Sequence, residues 1–200
     1  MANKAGKLRA IKISGTKATL TAEPTTTSDN QNYQITDADK RVLDYSETIT
    51  VDDAGTPTAE AYTLNKLDGI VAFETVDAGR VITIDGYYLP MTTVAYAHAD
   101  SINVACDLQE TPKYGDTHMS RIPGLKGAEG SLSQWDVTDT TFEDDLIAGL
   151  PVVLETRDEA DDSVIDRMWV LLNTVEMSAA IGSPQDMVVS WSSTDEMLRW

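Results

Sequence analysis

The chain has 200 residues, one cysteine, and 33 acidic against 15 basic residues, for a formal net charge of -18 at pH 7. This length can bury a core of its own. One cysteine excludes an internal disulfide, and so few Lys and Arg exclude tight nucleic-acid binding, which depends on neutralising phosphates.

The N-terminus, MANKAGKLRAIKISG, is basic but lacks the apolar run of a secretory signal. No stretch approaches the roughly 18 apolar residues of a membrane span. Synthesis in the cytoplasm and no membrane partner are the expectations. KLRAIKISG and KATLTAE then suggest a hairpin around Gly15–Thr16. The polar stretch from Pro24 to Asn32 lacks periodicity and suggests a loop.

From Tyr33 to Leu89 the pattern is a β-meander. SETITV, AEAYTLN, GIVAFET and GRVITIDGYYL are strand-length, with Ile49 and Val51 on one face. TVDDAG and TVDAG place Asp and Gly after strands, where positive φ costs least. In SINVACDL, alternation puts Ile102, Val104, Cys106 and Leu108 on one face, which implies a buried, inert Cys106. A long loop to about Gly130 is expected next, then the strand SLSQWDV.

TTFEDDLIAG predicts the only helix, about 140–149. Thr140 and Glu143 form a capping box, Glu143, Asp144 and Asp145 suit its positive end, and Gly149 and Pro151 stop it. Losing the cap through Thr140→Ala should cost about 1 kcal/mol. Phe142, Leu146 and Ile147 are assigned to the docking face. PVVLETR and VIDRMWVLLNTVEM follow, joined by the acidic tip DEADDS. After a turn in AAIGSPQ, DMVVSWSS puts Met187, Val189 and Trp191 on one face, and Trp200 is expected to fold back onto apolar surface.

Signatures of catalysis are missing. There is no phosphate loop, no dinucleotide fingerprint, no zinc-ligand spacing and no nucleophile elbow. Cys106 and His118 are the rarest residue types, but nothing makes them nucleophile and base. His98 is expected to be an ordinary surface or satisfied histidine. The tip RDEADDS lacks the alternating oxygens of a calcium loop. Trp135, Trp169 and Trp191 alternate with strand neighbours, which suits core or interface packing better than a sugar platform. No catalytic residue, metal or cofactor is assigned.

The order from Ile102 to Ser193 is strand, long loop, strand, short helix, strand, acidic hairpin, strand, strand. With the stretch LQETPKYGDTHMSRIPGLKGAEGSLSQWDVTDTTFEDDLIAGLPVVLE, it resembles the tail tube (major tail) proteins of long-tailed, non-contractile, lambda-like bacteriophages. The resemblance covers about ninety residues and, loosely, the first hairpin. It implies a tail-tube-type β-sandwich or barrel in residues 1–32 and 90–200, with the 33–89 meander added on the outside.

It further implies a structural virion protein whose six-membered rings stack into a tube. DNA would pass as repelled cargo. The partners implied are other copies, the tape-measure protein in the lumen, and the terminator and distal tail proteins. The long loop, with Lys113, Tyr114, Asp116, Arg121, Ile122, Pro123 and Lys126, becomes the ring-stacking element. Another ring-forming tail protein and a carbohydrate-binding β-sandwich are the alternatives.

Overall fold

The computed structural model describes residues 9–94, 97–110, 121–135, 141–158, 160–178 and 185–199. Among these residues there are fourteen strands, one α-helix and a short 3-10 turn at Ala38–Lys40. The strands are β1 (Arg9–Ser14), β2 (Ala18–Thr27), β3 (Asn32–Ile35), β4 (Thr50–Asp53), β5 (Thr56–Pro57), β6 (Tyr62–Asn65), β7 (Ile70–Phe73) and β8 (Ile82–Tyr88). Then come β9 (Met91–Thr93), β10 (Ala97–Glu110), β11 (Arg121–Gln134), α1 (Thr141–Ala148), β12 (Val152–Asp158), β13 (Val164–Ser178) and β14 (Asp186–Arg199). The mainly β class with one short helix is therefore as the sequence suggests.

The strands form two seven-stranded sheets. One has the order β10-β11-β14-β13-β12-β1-β9, the other β5-β4-β8-β2-β3-β7-β6. The chain divides into two compact units. One comprises the residues up to Thr93 with Leu154–Arg167; the other comprises Val94–Val153 with Met168–Arg199.

In the first unit, β2, β3, β4, β7 and β8 bury Leu20, Tyr33, Ile35, Val51, Phe73 and Ile84 together. The expected first hairpin does not form. β1 pairs with β12 and β9, while β2 pairs with β8 and β3, so the chain changes sheet at Gly15. The Gly15 N–H donates to Pro90 O at 2.8 Å. A turn signal marks a reversal of direction but does not say which strand waits on the other side.

The expected Pro24–Asn32 loop is also corrected. Thr25, Thr26 and Thr27 pair with Ile35, Gln34 and Tyr33, so only the tip is a turn. β-Branched Thr suits a strand with one open face, and its polarity hid the pattern. Asp29 closes the tip: it accepts hydrogen bonds from Asn32 N (2.8 Å), Asn32 Nδ2 (2.7 Å) and Gln31 N (3.0 Å). These donors hold its carboxyl far below the usual carboxylate range.

The two Asp–Gly turns differ. Ala54 (φ 51) and Gly55 (φ 79) make the tight β4–β5 turn with positive φ at both positions. In the other turn, Asp77 Oδ1 accepts the Gly79 N–H at 2.8 Å.

A buried charge network lies in this unit. Glu155, with 0% exposure, is flanked by Arg157 and Arg167. Arg167 donates to Glu155 Oε2 at 2.6 Å through Nε and to Leu67 O at 2.7 Å through an η nitrogen. The acidic tip between β12 and β13 is tied down as well. Asp162 pairs with Arg157 and Lys12, and Asp161 Oδ1 accepts from Ser163 Oγ and N. The acids serve the turn, as the sequence suggests.

In the second unit, Leu132, Met187, Val189 and Trp191 are buried on one face of β11 and β14. Trp169 is also buried. α1 ends as expected. Gly149 takes φ 63 and its N–H reaches Asp145 O at 3.0 Å.

Only part of the expected apolar helix face is realised. Phe142 is buried and Leu146 half-buried, but Ile147 is 83% exposed. At 100° per residue Ile147 stands about 140° around from Phe142, on a different face. Thr140 of the capping box, the turn in AAIGSPQ and Trp200 lie outside the described residues. Glu143 is in the first turn of α1.

Candidate assembly interface

β10 and β11 pair antiparallel from Ala97↔Gln134 to Glu110↔Arg121, with bulges between Ala97 and Ala99 and between Cys106 and Leu108. The second bulge precedes the Leu108↔Pro123 pair, where Pro offers no N–H to the ladder. The expected loop to Gly130 is therefore strand from Arg121 onward. The bulge absorbs the Pro and Gly that looked like loop signals.

The residues assigned to stacking are divided accordingly. Arg121, Ile122, Pro123 and Lys126 belong to β11, and Lys126 is exposed. Lys113, Tyr114 and Asp116, like His118, lie outside the described residues.

Cys106 is exposed, against the expectation of a buried thiol. Along β10, Ile102 is half-buried opposite Gly130, while Val104 is already 51% exposed. Alternation placed Val104 and Cys106 on one face correctly. It did not reveal that the packing over that face ends before them.

The opposite face of this sheet carries two polar rows. In the first, Ser101 and Ser131 share a hydrogen bond at 2.9 Å, Ser131 pairs with Ser190, and Ser190 bonds to Thr174 at 2.7 Å. In the second, Asn103 donates to Glu129 at 3.2 Å, Glu129 pairs with Ser192, and Asn173 donates to Ser192 at 2.8 Å. These rows were missed in the sequence. The signal was present as polar residues at spacing two in Ser101/Asn103, Glu129/Ser131 and Ser190/Ser192.

At the other end of the pair, the His98 ring stacks on Trp135 with centroids 4.4 Å apart and 15° between planes. His98 Nε2 lies 3.7 Å from Asp186 Oδ1. Trp135 is 53% exposed and so is not a core residue. Among the described residues, no group of three or more His, Cys, Asp or Glu is placed to hold a metal ion.

Two solved structures are similar in fold. One is a chain from the tail of an empty gene transfer agent (GTA) particle with C6 symmetry: 10% identity, TM-score 0.47, over 56% of this chain and 87% of that one. The other is a chain from the virion of a native gene transfer agent particle: 10% identity, TM-score 0.48, over 55% and 88%. Likeness at this level carries no inference about role. No family model and no curated protein matches the chain.

Proposed function

We propose that this chain is a structural subunit of a phage-type tail tube, acting in the virion tail without catalysis. Copies form rings, six-membered by the sequence resemblance, and the rings stack into a conduit for DNA. The tape-measure protein would occupy the lumen, and terminator and distal tail proteins would meet the ends. Residues 33–89, which supply most of β3 and all of β4 to β8, are assigned to the outside of the tube.

The observation that carries the reading is strand β10. It ends the strand order of its sheet and runs from Ala97 to Glu110 without a Lys or a Pro. Edge strands that must stay single are short, or carry charges (above all Lys) or Pro, or twist away at bulges; β10 is 14 residues long and its formal charges are Asp100, Asp107 and Glu110 alone. β10 has bulges only near its ends, with a regular ladder from Ala99 to Cys106 between them. An edge of this kind suits a sheet that continues into a neighbouring copy. A heterologous contact whose rotation closes gives a ring. The net charge of -18 fits a conduit that repels phosphates.

The carbohydrate-binding alternative is weakened because Trp169 and Trp191 are buried and cannot form a stacking platform. Negative-stain microscopy across a concentration series tests the reading. Tubes are expected. Single rings would favour a terminator or distal ring, and monomers at every concentration would overturn self-assembly.

A further inference from the structure

The two halves of strand β13 have different surroundings. Its neighbours in the sheet are β12 and β14. β12 has 7 residues and β13 has 15. The turn between them is closed where the Asp158 N–H donates to Ser163 O at 2.9 Å. A strand as short as β12, folded back from that turn, reaches only to about Val170. Burial changes at the same point. Asp166 to Val170 are buried, whereas Leu171, Asn173, Thr174, Glu176, Met177 and Ser178 are exposed. β14 still lies along this second half, through Asn173 to Ser192 and Thr174 to Ser190. On the other side of residues 171–178 there is no strand among the described residues.

Within the second unit, β10, β11, β14 and this half of β13 therefore make a four-stranded sheet with two open edges. The edges match in length. β10 has a regular ladder over residues 99–106 and β13 is open over residues 171–178, eight residues each. Neither stretch holds Lys, Arg or Pro. The directions match as well. β10 is antiparallel to β11, and β11 to β14. The bonds Thr174–Ser190 and Asn173–Ser192 step in opposite senses along β13 and β14. β13 thus runs opposite to β10, and a sheet continued from β10 into another β13 stays antiparallel. Among the described side chains of these four strands, the large apolar residues left exposed are Val104, Leu171 and Met177, all on the two edges. Each polar row also ends in like groups, hydroxyls at Ser101 and Thr174 and amides at Asn103 and Asn173.

We propose that β10 of one copy pairs antiparallel with residues 171–178 of the next copy's β13. The inference rests on the reading that the chain assembles with itself, and names the strand that each edge receives. Every copy uses both of its edges, so the contact is heterologous and can close or propagate. Pairing of β10 with a second β10 would satisfy one edge only and stop at a dimer. It would also bring together two sets of Asp100, Asp107 and Glu110, whereas residues 171–178 carry Glu176 alone. Pairing of β10 with β13 covers Val104, Leu171 and Met177 and continues the polar face of one copy into that of the next.

The test uses the full chain in a Cys106→Ser background. Asn103→Cys and Thr174→Cys variants are treated with a short bismaleimide, separately and mixed. Within one copy these positions lie three strand spacings apart, about 14 Å, beyond the reach of the reagent. A covalent dimer is expected chiefly in the mixture. In parallel, Val104→Lys and Met177→Lys place a charge on each edge in turn. Each should raise the concentration needed for assembly about tenfold or more, with circular dichroism and Tm unchanged. Dimers equally abundant from Asn103→Cys alone would show β10 pairing with itself and overturn the proposal. Assembly without a mixed-variant dimer, or undisturbed by both Lys variants, overturns it and leaves self-assembly standing. A chain monomeric at every concentration overturns both.

Discussion

Gly130 on β11 packs against the indole of Trp191 on β14, its cross-strand partner. A β-carbon at Gly130 would stand 2.5 Å from Trp191 Cζ2 and would collide with the Ser101 carbonyl. The large ring and the missing side chain are one packing solution, shared between facing strands.

Gly130→Ala should therefore destabilise by about 2–3 kcal/mol, the upper range of overpacking. For a chain of this size each kcal/mol lowers Tm by about 2–4 °C. Calorimetry checks the loss, and near-UV circular dichroism should show the Trp191 signal change. An unaltered Tm would show that the strands yield more easily than this packing allows.

Glu155 is enclosed by Arg157 and Arg167. Removing one member of a buried ion network strands the others without water. Glu155→Ala should cost about 3–5 kcal/mol. Replacing Glu155 and Arg167 together by Leu and Met should cost less than the sum of the two single changes. Urea denaturation of the four proteins gives the coupling. Additive losses would show that Arg167 is held mainly by Leu67 O.

Acid should act on Asp29 and Asp52 with opposite signs. The donors from Asn32 and Gln31 depress the Asp29 carboxyl below its ordinary 3.8. Its stabilising contribution is therefore complete above that value and lost as pH falls toward the folded-state pKa. Asp29→Asn should flatten the fall in urea midpoint below about pH 4.

Asp52 is raised, first by burial, then by a hydrogen bond to Asp85 and repulsion from it. A raised carboxyl favours the folded state below its ordinary pKa and loses that contribution as pH climbs through the folded value. Asp52→Asn should raise the urea midpoint at pH 7 and leave it little changed at pH 3. An equal gain at both pH values would remove the titration argument.

The ladder from Glu110↔Arg121 inward is paired strand, so the clean test of the connector leaves that ladder whole. Replacing residues 112–119 with a short Asn-Gly turn should preserve the fold, because type I′ turns suit a two-strand reversal. Assembly should be lost. Gel filtration and negative stain read the two outcomes together. Tubes of normal appearance would remove the stacking role assigned to Lys113, Tyr114 and Asp116.

Sequence alone determined the local matters: the β class, the single helix with its Gly149 stop, and the alternation that buries Met187, Val189 and Trp191. These follow from rules acting over a few residues, such as side-chain period, turn chemistry and capping. Tertiary structure decided which strands meet. It put β1 and β2 in different sheets, extended β11 back to Arg121, and left Cys106 and Ile147 exposed although both sit in apolar patterns. Periodicity says that two residues share a face. Whether that face is covered depends on partners distant in the chain, or on other copies of it.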